Sequence, residues 1–371
     1  MGLVSGLVVF VVALTGCLFA FQKEITEWVH KDRLFVTPPA TTAPLPVSVL
    51  LKRAQQVLGD SIPINYVTTY KQRDRSWEFM SYVEGDAEAI TYAGTIKYYR
   101  SVHINPYTAA VTGITDYKTD FFVVVKNLHW SLLLNTSYGQ PIVGWSTFIF
   151  VLLLLTGLVL WWPKKWNKAI RKQRFSIKWD AKWRRLNYDL HSVFGFYGLL
   201  LALVLALTGM VWAFQWFNKA VYAAAAGTTS YPEQKTFTSV KAGAGKKNGM
   251  DIAYRNAVAA RPRAERFGLS PVSGGDAVLY IYCYRGKEVY YNYDALQFDQ
   301  YSGKLLYADN YSGKNRGEVL TGMNYDIHVG AIAGLPGKIL AFLASLVAAS
   351  LPVTGVLLWW GKRHKPSHKT T

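Results

Sequence analysis

Four apolar runs of about twenty residues, each carrying a Thr-Gly pair near its end, most constrain what this chain can become. The octet T-G-x-x-x-A-F-Q closes the first run as Thr15–Gln22 and recurs as Thr208–Gln215 at the close of the third. T-G-L-V-L-W-W from Thr156 and T-G-V-L-L-W-W from Thr354 close the second and fourth. A match between every other run is the mark of duplication, so the chain reads helix, domain, helix, twice over.

A hydrocarbon core of roughly 30 Å needs about 20 apolar residues of helix. The spans fall at 1–22, 142–162, 192–217 and 335–361, and the one charge inside them is Lys338. Between them lie two polar stretches, 23–141 and 218–334, each long enough for a small domain. The segment 163–191 is a basic loop and 362–371 a basic tail.

The net charge of +18 is concentrated there: ten Lys or Arg lie between Pro163 and Leu190, against Asp180 and Asp189. Short basic loops stay on the cytoplasmic side and attract anionic lipid heads. Both termini are therefore expected inside and both large domains outside, and orientation accounts for the basicity without nucleic acid. Trp161, Trp162, Trp212, Trp216, Trp359 and Trp360 stand at helix ends where aromatic belts belong. Small residues such as the Thr-Gly pairs let helices approach in lipid, and packing alone explains them at this level. Pro352 is expected to kink the last span.

Cys17 and Cys283 belong to a span and an external strand, so a disulfide between them is not expected. No C-x-x-C-H occurs, which excludes a covalently attached c-type haem, and no G-x-G-x-x-G follows a strand. Leu14-Thr15-Gly16-Cys17 resembles a lipoprotein processing box. A signal peptide, however, needs a basic n-region, and Thr-Gly recurs in all four spans.

Each external stretch carries an amphipathic helix, Pro46–Leu58 and Met250–Ala260, followed by strand-like runs at Ile64–Tyr70, Trp77–Val83, Val278–Tyr284 and Val289–Tyr293. Asn105–Ala109 and Asp299–Gly303 supply turns between further short strands. The tyrosines Tyr280, Tyr282, Tyr284, Tyr290, Tyr291 and Tyr293 read as sheet packing, with a stacking surface for a metal chelate as the sharper alternative.

Asn187–Gly195, Leu128-His129, Ile327-His328 with Gly334–Gly337, and the T-G-L-V-L-W-W endings resemble the PepSY-associated transmembrane helix family over nearly the full length. The resemblance implies a membrane α+β fold: four transmembrane helices in two tandem helix-domain-helix repeats, each with a PepSY-like α+β external domain. It also implies the bacterial inner membrane, with the large domains periplasmic, and an association with iron uptake. Some members of the family look like haem-containing reductases of ferric siderophores.

His129 precedes Thr156 by 27 residues and His328 precedes Thr354 by 26, which makes them repeat mates on the external side. Two such imidazoles can supply both axial ligands of one b-type haem. His191 stands 17 residues before Thr208; the same interval from Thr15 falls ahead of Met1. A start placed too late, a haem held by His191 alone, or one haem instead of two all fit that register. His30 reads as interfacial, His103 as a surface or core-edge residue, and His364 and His368 as solvated.

The resulting expectation is an inner-membrane oxidoreductase holding one or two haem b groups on His129, His328 and His191. It takes electrons from a cytoplasmic or quinol donor and delivers them to a periplasmic acceptor such as a ferric siderophore. The alternative is a non-catalytic, membrane-anchored PepSY module that binds an external protease or assembly partner. A transporter is disfavoured by the absence of a charged path through the spans.

Overall fold

The computed structural model describes residues 2–233, 235–241, 248–272, 274–286 and 289–363. Helix α1 (Gly2–Phe19) breaks and resumes as α2 (Gln22–Val29) and the short α3 (Lys31–Leu34). Helix α4 (Val47–Leu58), strands β1 (Tyr66–Tyr70), β2 (Trp77–Glu84), β3 (Ile96–Ile104) and β4 (Val111–Asp116), and helix α5 (Phe121–Ser131) then lead to α6 (Thr136–Trp161). The second half opens with α7 (Lys168–Phe175), α8 (Trp183–Asp189), a π-helical turn (Leu190–Phe194), α9 (Gly195–Ala213), α10 (Gln215–Ala226) and α11 (Gly249–Ala260). It continues through β5 (Arg266–Ser270), β6 (Val278–Tyr284), β7 (Tyr293–Asp299), β8 (Leu305–Asp309), α12 (Arg316–Gly322) and α13 (Asn324–His328) to α14 (Gly334–Arg363).

The chain divides into two units. The described parts of Met1–Phe21, Val125–Ala220 and Ile327–Thr371 form a helical unit; Gln22–Val124 and Val221–Asp326 form a unit built on a sheet. In the helical unit three helices are long and apolar enough to cross a membrane, with a fourth if the broken pair α1 and α2 counts as one span. Helix α1 has 18 residues, about 27 Å at 1.5 Å per residue, just short of the hydrocarbon thickness. It stops where Gln22, Lys23 and Glu24 begin an amphipathic turn. The second long helix starts at Thr136, earlier than its apolar run, because Asn135 caps it: its side-chain oxygen accepts the Ser137 N–H at 3.1 Å.

The four helices form a ring, α1 packing on α6 and α14, and α9 on the same two. Small residues set their spacing. A Cβ added to Gly144 would lie 2.8 Å from the Ala213 Cβ, and one on Gly198 2.7 Å from Val347. Ala13 meets Ala348 and Ala349 in the same manner. In lipid, close packing of this kind replaces hydrophobic burial as the force between helices. Leu160 remains 81% exposed, as a lipid-facing leucine must. Helix α14 runs unbroken through Pro352, which packs against Gly6.

The sheet unit departs from the expectation of two external domains. All eight strands form one antiparallel sheet in the order β4-β3-β2-β1-β5-β6-β7-β8. The halves meet where β1 pairs with β5, Val67 opposite Leu269 and Tyr70 opposite Arg266, so neither half leaves its first strand as an open edge. Helices α4 and α11 cover one face and bury Leu50, Ala54, Ala253 and Ala257 against Val67, Phe79, Phe267, Leu269, Ile281 and Phe298. Each such Phe, Leu or Ile contributes about 1.5–3 kcal/mol on burial. Ser48 ties the two helices by donating its hydroxyl to Asp251 at 2.5 Å.

The two turns are built alike. Asn105 Oδ1 accepts the Tyr107 N–H at 2.9 Å and Asp299 Oδ1 the Tyr301 N–H at 3.0 Å. The chain then passes through left-handed φ at Ala109 (58°) and Gly303 (69°). Val289–Tyr293 is not a strand; β7 begins only at Tyr293. The Tyr290 and Tyr291 N–H groups are taken by the Asp326 carboxylate, each at 2.9 Å, and so are lost to any ladder.

Candidate functional site

Three histidines in the helical unit are held the same way. His129, near the end of α5, has its Nδ1 2.8 Å from the Val12 carbonyl and 3.1 Å from the Thr15 hydroxyl. His328, closing α13, has its Nδ1 2.8 Å from the Thr208 hydroxyl. His191, in the π-helical turn, has its Nδ1 2.8 Å from the Thr354 hydroxyl. In each case the partner is a span threonine, joined at His129 by the carbonyl three residues before it. The glycine after the threonine faces the ring: a Cβ on Gly16, Gly209 or Gly355 would meet the Cε1 of His129, His328 or His191 at 3.4, 3.8 and 3.6 Å. The Thr-Gly pairs therefore seat imidazoles, a role beyond the helix packing that suffices to explain them in sequence.

Helices α1 and α9 stand diagonally in the ring, and their seated histidines face one another. The His129 and His328 rings have centroids 5.9 Å apart and planes 71° apart. Trp212 packs edge-on to His328 at 5.2 Å and reaches Trp130 at 6.2 Å, so this belt tryptophan lines the site. Tight corners follow both histidines. After His129 the backbone turns through left-handed φ at Leu132 (56°) and Leu133 (62°); after His328 it does so at Gly330 (76°) and Gly334 (62°). A model of the PepSY-associated TM region matches residues 1–362. The chain belongs to that family. No curated protein matches it.

This PepSY-associated protein places His191 apart from the facing pair, at the end of the bundle that bears the basic loop. Asn187, one turn earlier, donates its Nδ2 to the Thr354 carbonyl at 3.1 Å, so one threonine is gripped at both its oxygens. The buried Asp189 accepts the Lys178 N–H at 3.2 Å and pairs with Arg185 at 2.9 Å. A π turn at such a position is a common companion of functional residues. The fourth Thr-Gly pair differs. Thr156 is exposed, donates to the Leu152 carbonyl at 2.7 Å, and has Gly157 beside it with open space around a built Cβ.

Register alone misses a pentapeptide that the geometry brings out. Asn187-Tyr-Asp-Leu-His191 recurs as Asn324-Tyr-Asp-Ile-His328. In both copies the Asp is fully buried and accepts backbone N–H groups of a neighbouring segment, Lys178 for Asp189 and Tyr290 with Tyr291 for Asp326.

The other histidines are not brought to these three. His103 is buried in the sheet, with its Nε2 2.9 Å from the Thr115 hydroxyl, so it is a core residue and not a surface one. His30 is a partly buried residue between α2 and α3, and His364 and His368 lie outside the described residues. Cys17 and Cys283 are separate, buried thiols. Among the described residues no group of three or more His, Cys, Asp and Glu is arranged to hold a metal ion.

Proposed function

We propose that this protein is a haem-containing membrane oxidoreductase that passes electrons from a cytoplasmic or quinol donor to an external ferric chelate of the siderophore type. The observation that carries the reading is the facing pair His129 and His328. Two imidazoles that share one metal, each nitrogen at about 2 Å from it, have ring centroids no more than about 6 Å apart; the pair stands at 5.9 Å. With Nδ1 of each ring committed to its threonine, Nε2 is the nitrogen available for ligation. Two such donors without further protein ligands suit a metal that brings its own equatorial set, as haem does.

Bound there, haem would supply one-electron exchange; the residues do the rest. His129 and His328 would hold the haem as a non-covalent b-type group, since no thioether attachment motif exists. Thr15, Thr208 and the backbone carbonyl of Val12 keep the rings facing. Trp212 packs edge-on to His328, with Trp130 against it. His191, seated on Thr354 at the other end, is the candidate ligand of a second group nearer the donor side. The basic loop Pro163–Leu190 supports an orientation with that loop cytoplasmic and the sheet unit periplasmic under the positive-inside rule.

Proteoliposomes loaded with a quinol-regenerating system and given an external ferric chelate test the reading through release of Fe(II) to a colorimetric trap. The wild-type protein is expected to release iron, and His129→Ala or His328→Ala to lower the rate at least tenfold. Equal rates for the variants, or none for a haem-replete wild-type protein, would favour the anchored binding module instead.

A further inference from the structure

We infer that Thr15, Thr208 and Thr354 are positioning residues that fix the tautomer of His129, His328 and His191, so that Nε2 carries the lone pair in all three. This assignment rests on the same site as the proposed function but concerns hydrogen bonds made by the chain's own residues.

The destination of each hydroxyl proton decides the tautomer. Thr15 donates to the Val11 carbonyl at 2.8 Å, Thr208 to the Val204 carbonyl at 2.7 Å, and Thr354 to the Ser350 carbonyl at 2.8 Å. With its proton bound four residues back along the helix, each hydroxyl has only lone pairs to offer the imidazole. The His129 ring has a second Nδ1 partner that can only accept, the Val12 carbonyl at 2.8 Å. An acceptor facing Nδ1 calls for a hydrogen there in all three rings, and the basic nitrogen is Nε2. A hydrogen bond at the distal nitrogen of a ligating imidazole fixes both ring orientation and basicity. The following glycine leaves room for the Cε1 edge, so the two-residue pair acts as a unit: hydroxyl to orient, absent side chain to admit.

The chain contains its own control. Thr156 has the same posture, its hydroxyl proton on the Leu152 carbonyl at 2.7 Å, but no imidazole is seated on it among the described residues. If Thr-Gly pairs served helix packing alone, all four threonines would respond alike to substitution.

The test uses full-length protein labelled with 15N at histidine and held in detergent, with long-range proton–nitrogen correlation spectra reporting the tautomer of each ring. Three resonance sets with protonated Nδ1 and bare Nε2 are expected for the haem-free wild-type protein. The isosteric Thr208→Val and Thr354→Val are each expected to mix the tautomers of one histidine only, Thr→Ser at the same position to restore the wild-type pattern, Thr15→Val to affect His129 less because the Val12 carbonyl still accepts from its Nδ1, and Thr156→Val to leave all three unchanged. Haem-loaded samples add a second reading, a positive shift of midpoint potential for Thr15→Val and Thr208→Val, reversed by Ser. Unchanged tautomers in Thr208→Val and Thr354→Val, or an equal response from Thr156→Val, would overturn the inference. Samples that bind no haem but show the expected tautomers would reject the proposed function and leave this assignment standing.

Discussion

The corner after His328 makes a quantitative prediction, because two of its glycines have positive φ but differ in ψ and in what surrounds them. Gly330 has φ 76° and ψ 0°, the left-handed helical conformation, and Gly334 φ 62° and ψ −147°, a region that glycine alone adopts freely. An alanine pays about 1–2 kcal/mol in the first from the Cβ and carbonyl clash and about 1–3 kcal/mol in the second from backbone strain. At Gly334 nothing lies within 4 Å of an added Cβ, so Gly334→Ala should cost that strain and no more. At Gly330 the built Cβ collides with the Gly337 carbonyl and falls 2.8 Å from the Lys338 nitrogen. These are backbone atoms in the first turn of α14, which cannot rotate aside, and overpacking of this kind adds about 1–3 kcal/mol. Gly330→Ala should therefore be less stable than Gly334→Ala by about 1.5 kcal/mol, the difference between the middles of the two ranges. Equilibrium unfolding of the helical unit in mixed micelles, followed by tryptophan emission, measures both variants under one condition. Equal losses would refute the claim that the Gly330–Gly337 contact fixes the corner. A Gly334→Ala loss larger than that of Gly330→Ala would refute the placement of the corner altogether.

In the sheet unit, Asp294 is 1% exposed and binds Arg261 Nε at 2.6 Å, Arg285 Nη2 and the Tyr311 N–H at 2.9 Å. Asp294→Ala is expected to cost about 3 kcal/mol, the low end for a broken buried pair because both arginines reach solvent, and a thermal melt compared with that of Asp294→Asn checks it. His103 predicts a pH dependence: burial, with Arg33 assisting and Glu78 opposing, holds its pKa below the usual histidine value. The native ring stays neutral where the unfolded one gains a proton, so its contribution is whole above about pH 6.5 and falls with pH below it, by at most about 1.4 kcal/mol per pH unit. Urea midpoints of wild type and His103→Gln between pH 7.5 and 5.0 should converge as pH falls; parallel curves would contradict the assignment. Gly303→Ala should be far costlier than Ala109→Gly. The two positions match in the repeats, but a Cβ on Gly303 would meet the Gly249 carbonyl at 2.6 Å, as parallel thermal melts would show.

Much of the membrane part is legible from local pattern, since a run of apolar residues must become helix wherever water is excluded. Thr15–Gln22 and Thr208–Gln215 also disclose the duplication by their residues alone. The pairings are not legible in that way. His129 lies 114 residues from Thr15, and His328 lies 120 from Thr208. Only the packing order of the helices decides that each histidine is seated on the span before its own. Helix starts shift for capping reasons that hydropathy ignores, as at Asn135. The run Val289–Tyr293 has strand composition but loses its N–H groups to Asp326, a contact spanning 35 residues. The join of β1 to β5 is equally invisible locally, because either strand has the composition to be an edge. The recurrence of Asn-Tyr-Asp-Leu/Ile-His, by contrast, lies open in the sequence, and its meaning emerges from the way Asp189 and Asp326 hold neighbouring loops.

The most direct test of the facing histidine pair is a reduced-minus-oxidised visible spectrum of the purified protein from haem-replete cells, with a pyridine haemochrome count per chain. A low-spin b-type spectrum is expected, with at least one haem per chain in the wild type. His129→Ala and His328→Ala should each lose the same haem, while His191→Ala leaves it in place. A colourless wild-type protein, or a spectrum indifferent to both His129 and His328, would contradict the account.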